Sequence, residues 1–138
     1  MPLNSDTVLL TLFVAVTSAL AQSGPVTFSC IGNGITGNCG AFVATFCENA
    51  ANTVLPASTS IGSCFNGNEF SGRCDFIAFN PSTTGGIGVP SSANCQAVLN
   101  NITAACPHGG VGNIVNALNT FSVDPNQGQC KSLSPCGN

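Results

Sequence analysis

A chain of 138 residues that carries two basic residues, five acidic residues and one histidine is too weakly charged to bind nucleic acid by neutralising phosphates. The same scarcity of cations argues against electrostatic attraction to an anionic membrane. Such a surface stays hydrated through Asn, Ser, Thr and backbone amides, which bond neutral hydroxyl groups as readily as water.

Residues 1–21 have the features of a secretion signal. An apolar run extends from Val8 to Val16, and Ala19 and Ala21 place small residues at the two positions that a signal peptidase reads, so cleavage is expected after Ala21. The alternative is a membrane anchor, but the run is shorter than the ~20 apolar residues of a bilayer span, and no later segment qualifies. We therefore expect a secreted, extracellular protein without membrane insertion, with residues 22–138 forming one domain.

All nine cysteines lie in the expected mature chain and predict a disulfide framework of four bridges with one thiol left over. Their pairing cannot be read from the sequence. The predicted unpaired residue is Cys136, in a tail that contains Pro and Gly. Without a CxxC pair, and with one histidine, no metal site is predicted. The eight disulfide candidates are Cys30, Cys39, Cys47, Cys64, Cys74, Cys95, Cys106 and Cys130.

The first half of the mature chain predicts a strand, a helix and a hairpin. Residues 26–30 alternate between apolar and polar, as in a strand. Asn38 can cap a helix with a regular apolar stripe that ends near Asn52. Two further strands, 61–65 and 73–79, form the hairpin. Because residues 76–79 are apolar without interruption, we expect this last strand to be covered on both faces.

The breaker-rich segment 80–90 separates the hairpin from a second helix, over residues 91–106, which Ser91 or Ser92 can cap. Its apolar positions recur at i, i+3, i+4, i+7 and i+11, so this face must be buried. Asn101 lies off that stripe and begins an N-glycosylation sequon, which predicts a glycoprotein. The buried stripe consists of Cys95, Val98, Leu99, Ile102 and Cys106.

After this helix a short apolar piece leads to a strand at 121–123 and then to residues 124–128, which have the composition of a turn. The predicted order is strand, helix, strand, strand, helix, strand. This is the split β-α-β-β-α-β arrangement of an α+β fold, here stabilised by disulfides.

The last third of the chain combines a cysteine-bounded helix, a CxxGG element and a strand that runs into Asp-Pro-Asn-x-Gly-x-Cys. The residues that fill this pattern are Cys95, Leu99, Cys106, Gly109, Gly110, Phe121, Asp124, Pro125, Asn126, Gly128 and Cys130. With them the chain resembles the small secreted glycan-binding proteins of mushrooms. Members often carry Trp and Arg on the strand before Asp-Pro-Asn, where this chain has Asn119, Thr120 and Ser122.

The resemblance implies an αβα-type sandwich that binds neutral glycans containing N-acetylhexosamine, of the LacdiNAc type. The segment around Gly112 to Leu118, or a terminal segment, would then cover the second face of the sheet.

Six polar residues are candidates for carbohydrate binding. Arg73 and Asp75 lie two apart on one strand and therefore share a face, with Glu69 in the adjoining loop. These scarce charges can bond sugar hydroxyls or form a surface ion pair of little energetic value. The others are His108, in a glycine-rich loop where such a residue is more often solvated than a ligand contact, and Asp124 and Asn126, which frame a proline and are interpreted first as residues that orient a turn.

An enzyme is not predicted. Glu69 and Asp75 could supply the carboxylate pair of a glycosidase, but nothing marks either as buried, and no nucleophile motif occurs. We predict a lectin-like protein that binds glycans or glycoproteins without metal or cofactor, as a monomer or weak homodimer, with a role in defence. The alternative is a secreted cytotoxic effector, similar to a killer toxin, that acts without binding glycans.

Overall fold

The computed structural model describes residues 24–131, which form five strands and two α-helices. The predicted α+β class is confirmed. The signal sequence predicted over residues 1–21 and the unpaired thiol predicted at Cys136 lie outside the described residues. In chain order the elements are β1 (Val26–Cys30), a 3₁₀ turn (Gly40–Phe42), α1 (Val43–Ala51), β2 (Ser60–Asn66), β3 (Arg73–Phe79), α2 (Ser92–Ala105), β4 (Gly110–Ile114) and β5 (Thr120–Asn126).

The five strands form one antiparallel sheet in the order β1-β4-β5-β3-β2. The expectation that residues around 112–118 cover the sheet is wrong for the beginning of that segment, because β4 is a strand within the sheet. Its glycines are needed there. A Cβ atom at Gly112 would lie 2.5 Å from the carbonyl oxygen of Thr27 and 3.0 Å from Cγ1 of Val98, so the small residue lets α2 pack closely on β4.

Both helices pack on one face of the sheet. The side chains of Phe46 on α1 and Phe76 on β3 stack with ring centroids 5.2 Å apart, and the apolar stripe of α2 is buried against β1, β4 and β5. The predicted cap is present, since Ser91 Oγ accepts from the backbone N–H of Asn94 at 3.3 Å. None of the helices within residues 24–131 has the length and apolar character needed to cross a membrane.

The opposite side of the sheet, which we call the open face, carries no helix from residues 24–131. Ile77, Phe79 and Val111 lie on it and are 43%, 37% and 44% exposed. The expectation that residues 76–79 are covered on both faces is therefore wrong. Phe76 is buried under the helices, whereas its neighbour Ile77 projects to the side where small residues flank it.

Four disulfides connect the layers within residues 24–131, and the predicted framework is confirmed for the eight candidate cysteines. One bridge joins the two helices, two join the helical layer to the sheet, and the fourth joins β2 to the chain after β5. The pairs are Cys30–Cys106, Cys39–Cys74, Cys47–Cys95 and Cys64–Cys130.

We expect thiol titration of the denatured, unreduced protein to find one thiol per chain, because eight of the nine cysteines are consumed by the bridges. The control is the same sample after reduction, in which every cysteine titrates. Two or more thiols before reduction would contradict a complete framework. A titre near zero, with dimers on a non-reducing gel, would show that Cys136 joins two chains.

Candidate functional site

Four of the six candidate residues meet on the open face and form what we call the polar cluster. Arg73 and Asp75 come from β3, and Asn126 and Asp124 lie directly opposite them on β5. The interpretation of Asp124 and Asn126 as turn residues is wrong, since β5 extends to Asn126. Pro125 is accommodated because β4 pairs with β5 only as far as Val123, so at the proline β5 has a strand on one side alone.

The carboxylate of Asp75 is held by two donors. Arg73 donates from Nε to Oδ2 at 2.9 Å and to Oδ1 at 3.2 Å, and Asn126 donates from Nδ2 to Oδ2 at 2.9 Å. Arg73 also donates from Nη1 to the carbonyl oxygen of Gln127 at 3.2 Å. Both members of the ion pair are about a third exposed, so the pair contributes at most about 1 kcal/mol to folding. Its fixed geometry nevertheless presents oriented donors and acceptors to solvent.

A shallow groove of about 660 Å³ lies beside the polar cluster on the open face. Its centre is one row of paired residues that crosses four strands: Val111, Ser122, Ile77 and Gly62. Gly62 and Ser122 are small, and the aliphatic side chains of Ile77 and Val111 rise around them. An apolar surface with a few fixed polar groups at one end is the usual composition of a small-ligand site.

Glu69 and His108 lie outside the polar cluster. Glu69 is exposed in the hairpin loop, where its Oε2 accepts from Asn38 Nδ2 at 3.2 Å. His108 is half-buried, and its Nδ1 lies 3.2 Å from the carbonyl oxygen of Ile35, so a neutral ring donates from Nδ1 and leaves Nε2 as an acceptor. Their role in carbohydrate binding stays a prediction.

His108 lines a second groove, of about 710 Å³, together with Phe70, Gln127 and residues 34–36. This groove adjoins the polar cluster through Gln127, whose carbonyl oxygen accepts from Arg73. Within residues 24–131, no three His, Cys, Asp or Glu side chains come together as a set that could hold a metal ion.

Sequence reasoning missed the four residues at the centre of the groove: Ile77, Val111, Ser122 and Gly62. Each is an ordinary strand residue, and only the register of four strands places them in one row. No local signal marks them. The alternation of β3 could at most have shown that Ile77 shares a face with Asp75.

A disulfide-bonded α+β domain with an oriented polar cluster beside an aliphatic groove has the features of a small binding module. The family model "Glycan binding domain Y3" matches residues 38–130, more than half of the chain and all of the polar cluster. The chain therefore belongs to this family of glycan-binding, lectin-like domains, which confirms the resemblance to fungal glycan-binding proteins. The chain is also 34% identical over 95 residues to a protein of Coprinus comatus, "Antiviral protein CAP". The aligned region covers 68% of this chain and 92% of that protein.

Proposed function

We propose that this protein binds neutral glycans at the polar cluster and the adjoining groove on the open face. The observation that supports this most directly is the Asp75 carboxylate, fixed by Arg73 and Asn126 on a surface that holds few other charges. A sugar hydroxyl can donate to the carboxylate and accept from a guanidinium N–H at the same time. Hydrogen bonds to charged groups contribute about 1.5–3 kcal/mol each, enough to orient a sugar.

The preferred ligands are neutral glycans that contain N-acetylhexosamine, of the LacdiNAc type. The polar cluster holds one cation and two carboxylates, so it repels sialylated or sulfated glycans. Ile77 and Val111 offer an aliphatic surface suited to an acetamido methyl group and to the C–H face of a sugar ring. No Trp or Tyr occurs in the chain, so affinity per site is modest, and tight binding requires multivalent glycans.

The biological setting we propose is extracellular defence without catalysis or cofactor. Support comes from the apolar N-terminal run and from the similarity to a protein that is named for antiviral activity. Asn101 is exposed on α2, and within residues 24–131 its side chain donates only to the carbonyl oxygen of Ala97, at 2.8 Å. A glycan attached there would project away from the sheet, so we also propose that Asn101 is N-glycosylated.

We expect Asp75→Asn to weaken glycan binding at least tenfold, because the substitution keeps the shape of the side chain and removes one charge-assisted acceptor, worth about 1.5–3 kcal/mol. The measurement is a glycan array with residues 22–138, followed by calorimetry with the best neutral glycan. Glu48→Gln is the matched control, since it removes an exposed carboxylate from α1 on the other side of the sheet, and it should bind like the parent protein.

The array should be repeated with a chelator and at raised salt. Binding that a chelator abolishes would contradict a metal-free site, and binding lost at moderate salt would contradict a neutral ligand. If no glycan is retained while the protein still inhibits growth of a target cell, the effector alternative replaces the lectin. Release of reducing ends from a retained glycan would instead indicate a hydrolase.

A further inference from the structure

A third groove lies at the end of the sheet opposite the polar cluster, and we call it the distal groove. It has a volume of about 670 Å³, and none of the residues that line it is charged. Its rim holds Ile87, Val89 and Leu118, which are 69%, 55% and 41% exposed. Contiguous exposed aliphatic side chains on a soluble domain mark interaction surfaces.

The backbone along this rim is a short strand edge. Gly88 pairs with Leu55 in an antiparallel bridge, through the N–H of Leu55 to the carbonyl of Gly88 at 2.7 Å and the reverse bond at 2.8 Å. Because backbone groups alternate in direction along an extended chain, the N–H and C=O groups of Ile87 and Val89 face away from Leu55. None of these four groups bonds to another backbone or side-chain group of residues 24–131.

Two asparagines lie in the wall of the distal groove. Asn94 and Asn119 are 9% and 7% exposed, and within the described chain neither side-chain amide makes a hydrogen bond; Asn119 Oδ1 is fully buried without a partner. The nearby Asn80, in contrast, donates to the carbonyls of Leu55 and Gly86, both at 2.9 Å, and accepts from the N–H of Ser82. Buried polar groups are usually bonded; Asn119 Oδ1 is an exception that lies against the inner side of Gly88. The Asn94 amide is not among the fully buried unbonded atoms of the described chain, so it is the side-chain group in the wall that can bond a ligand in the groove.

We propose that the distal groove docks an extended, uncharged peptide segment of a partner protein, which adds as a strand along Ile87 and Val89. The two residues offer donors and acceptors at the spacing of an antiparallel strand, and alternate aliphatic side chains of the peptide would contact Leu118 and the groove wall. A peptide fits better than a sugar here because the exposed rim is aliphatic and the free polar groups are backbone groups in strand geometry. This inference is independent of the proposed glycan site.

The test is an NMR titration of ¹⁵N-labelled protein (residues 22–138) with the blocked peptide acetyl-Ser-Val-Thr-Val-Ser-amide. We expect saturable shifts of the amide signals of residues 87–89, 118 and 119, with little change at β3 and β5 residues of the polar cluster. An analogue with N-methylated valines cannot donate along the strand and should bind at least tenfold more weakly. Val89→Ser and Leu118→Ser should each weaken binding severalfold, and both residues are exposed, so folding is retained.

Val111→Ser, which removes an equally exposed aliphatic side chain from the open face, is the matched control and should leave peptide binding unchanged. Asp75→Asn should also bind the peptide normally. The result therefore distinguishes failure of the peptide proposal from failure of the proposed glycan site. The proposal is overturned if no shifts occur up to millimolar peptide or if the N-methylated analogue binds equally well. It is also overturned if N,N′-diacetylchitobiose alone shifts the same signals, or if they shift with protein concentration through self-association.

Discussion

Leu99→Asp and Phe46→Asp are each expected to abolish secretion of folded protein. Leu99 lies at the centre of the α2 stripe and Phe46 stacks on Phe76, and both side chains are almost completely buried. An aspartate at either place would bury an unpaired charge that costs several kcal/mol, in addition to the lost apolar contacts. That sum is comparable with the whole stability of a small domain, about 5–15 kcal/mol. The measurement is the amount of soluble protein in the medium, compared with the parent chain on one gel.

Asn100→Asp is the matched control, because it places the same side chain one residue from Leu99 on the exposed side of α2. It should be secreted normally and give the parent circular dichroism spectrum. Normal yield of folded Leu99→Asp would mean that the register of α2 on the sheet is not the one described.

Removal of the bridge between the helices is the second change with a large expected effect. Cys47 and Cys95 are fully buried and lie 48 residues apart in sequence. Closing a loop of this length lowers the entropy of the unfolded chain by an amount worth about 4 kcal/mol. The double variant Cys47→Ala and Cys95→Ala should therefore lose about 2–5 kcal/mol of unfolding free energy, measured by guanidinium denaturation of the unreduced protein.

The comparison variant lacks the Cys64–Cys130 bridge, which spans 66 residues and includes an exposed cysteine. By loop length alone, removal of this bridge should lower the unfolding free energy more than removal of Cys47–Cys95, but only by about 0.3 kcal/mol. Replacing Cys47 and Cys95 also removes the packing contacts of two buried sulfur atoms. This loss lowers the unfolding free energy by more than the difference in loop length does. We therefore expect removal of the helix-joining bridge to lower the unfolding free energy more than removal of Cys64–Cys130. A greater loss of unfolding free energy in the variant that lacks Cys64 and Cys130 would contradict that ranking.

The helices and the hairpin could be predicted because their signals are local. The apolar stripe of α2 and its serine cap are visible within the sixteen residues 91–106, and the structure places α2 at Ser92–Ala105. Strand β4 was missed because Gly110 and Gly112 have the composition of a turn. These glycines are needed because the backbone of β1, which is remote in sequence, and side chains of α2 approach them closely. The order of the strands and the cysteine pairing depend on the same long-range contacts.

The candidate site could likewise be predicted only in part. Scarcity of charge identified Arg73 and Asp75, and the family pattern added Asp124 and Asn126, but their meeting across two strands follows from the register of β3 and β5. The aliphatic groove beside them has no sequence signal, since strand residues such as Ile77 are expected in a core. His108 was singled out for its chemistry alone, and the structure places it in a different groove.

The disulfide pattern determines what happens when the segment between β3 and α2 is cleaved. Residues 83–85 are exposed, which makes them accessible to a protease. Three of the four bridges connect cysteines before this segment to cysteines after it, namely Cys30–Cys106, Cys47–Cys95 and Cys64–Cys130. A cut at residues 83–85 would therefore turn one chain into two without releasing either, so that a protein exposed to digestive enzymes would survive its first cleavage as a covalent two-chain molecule.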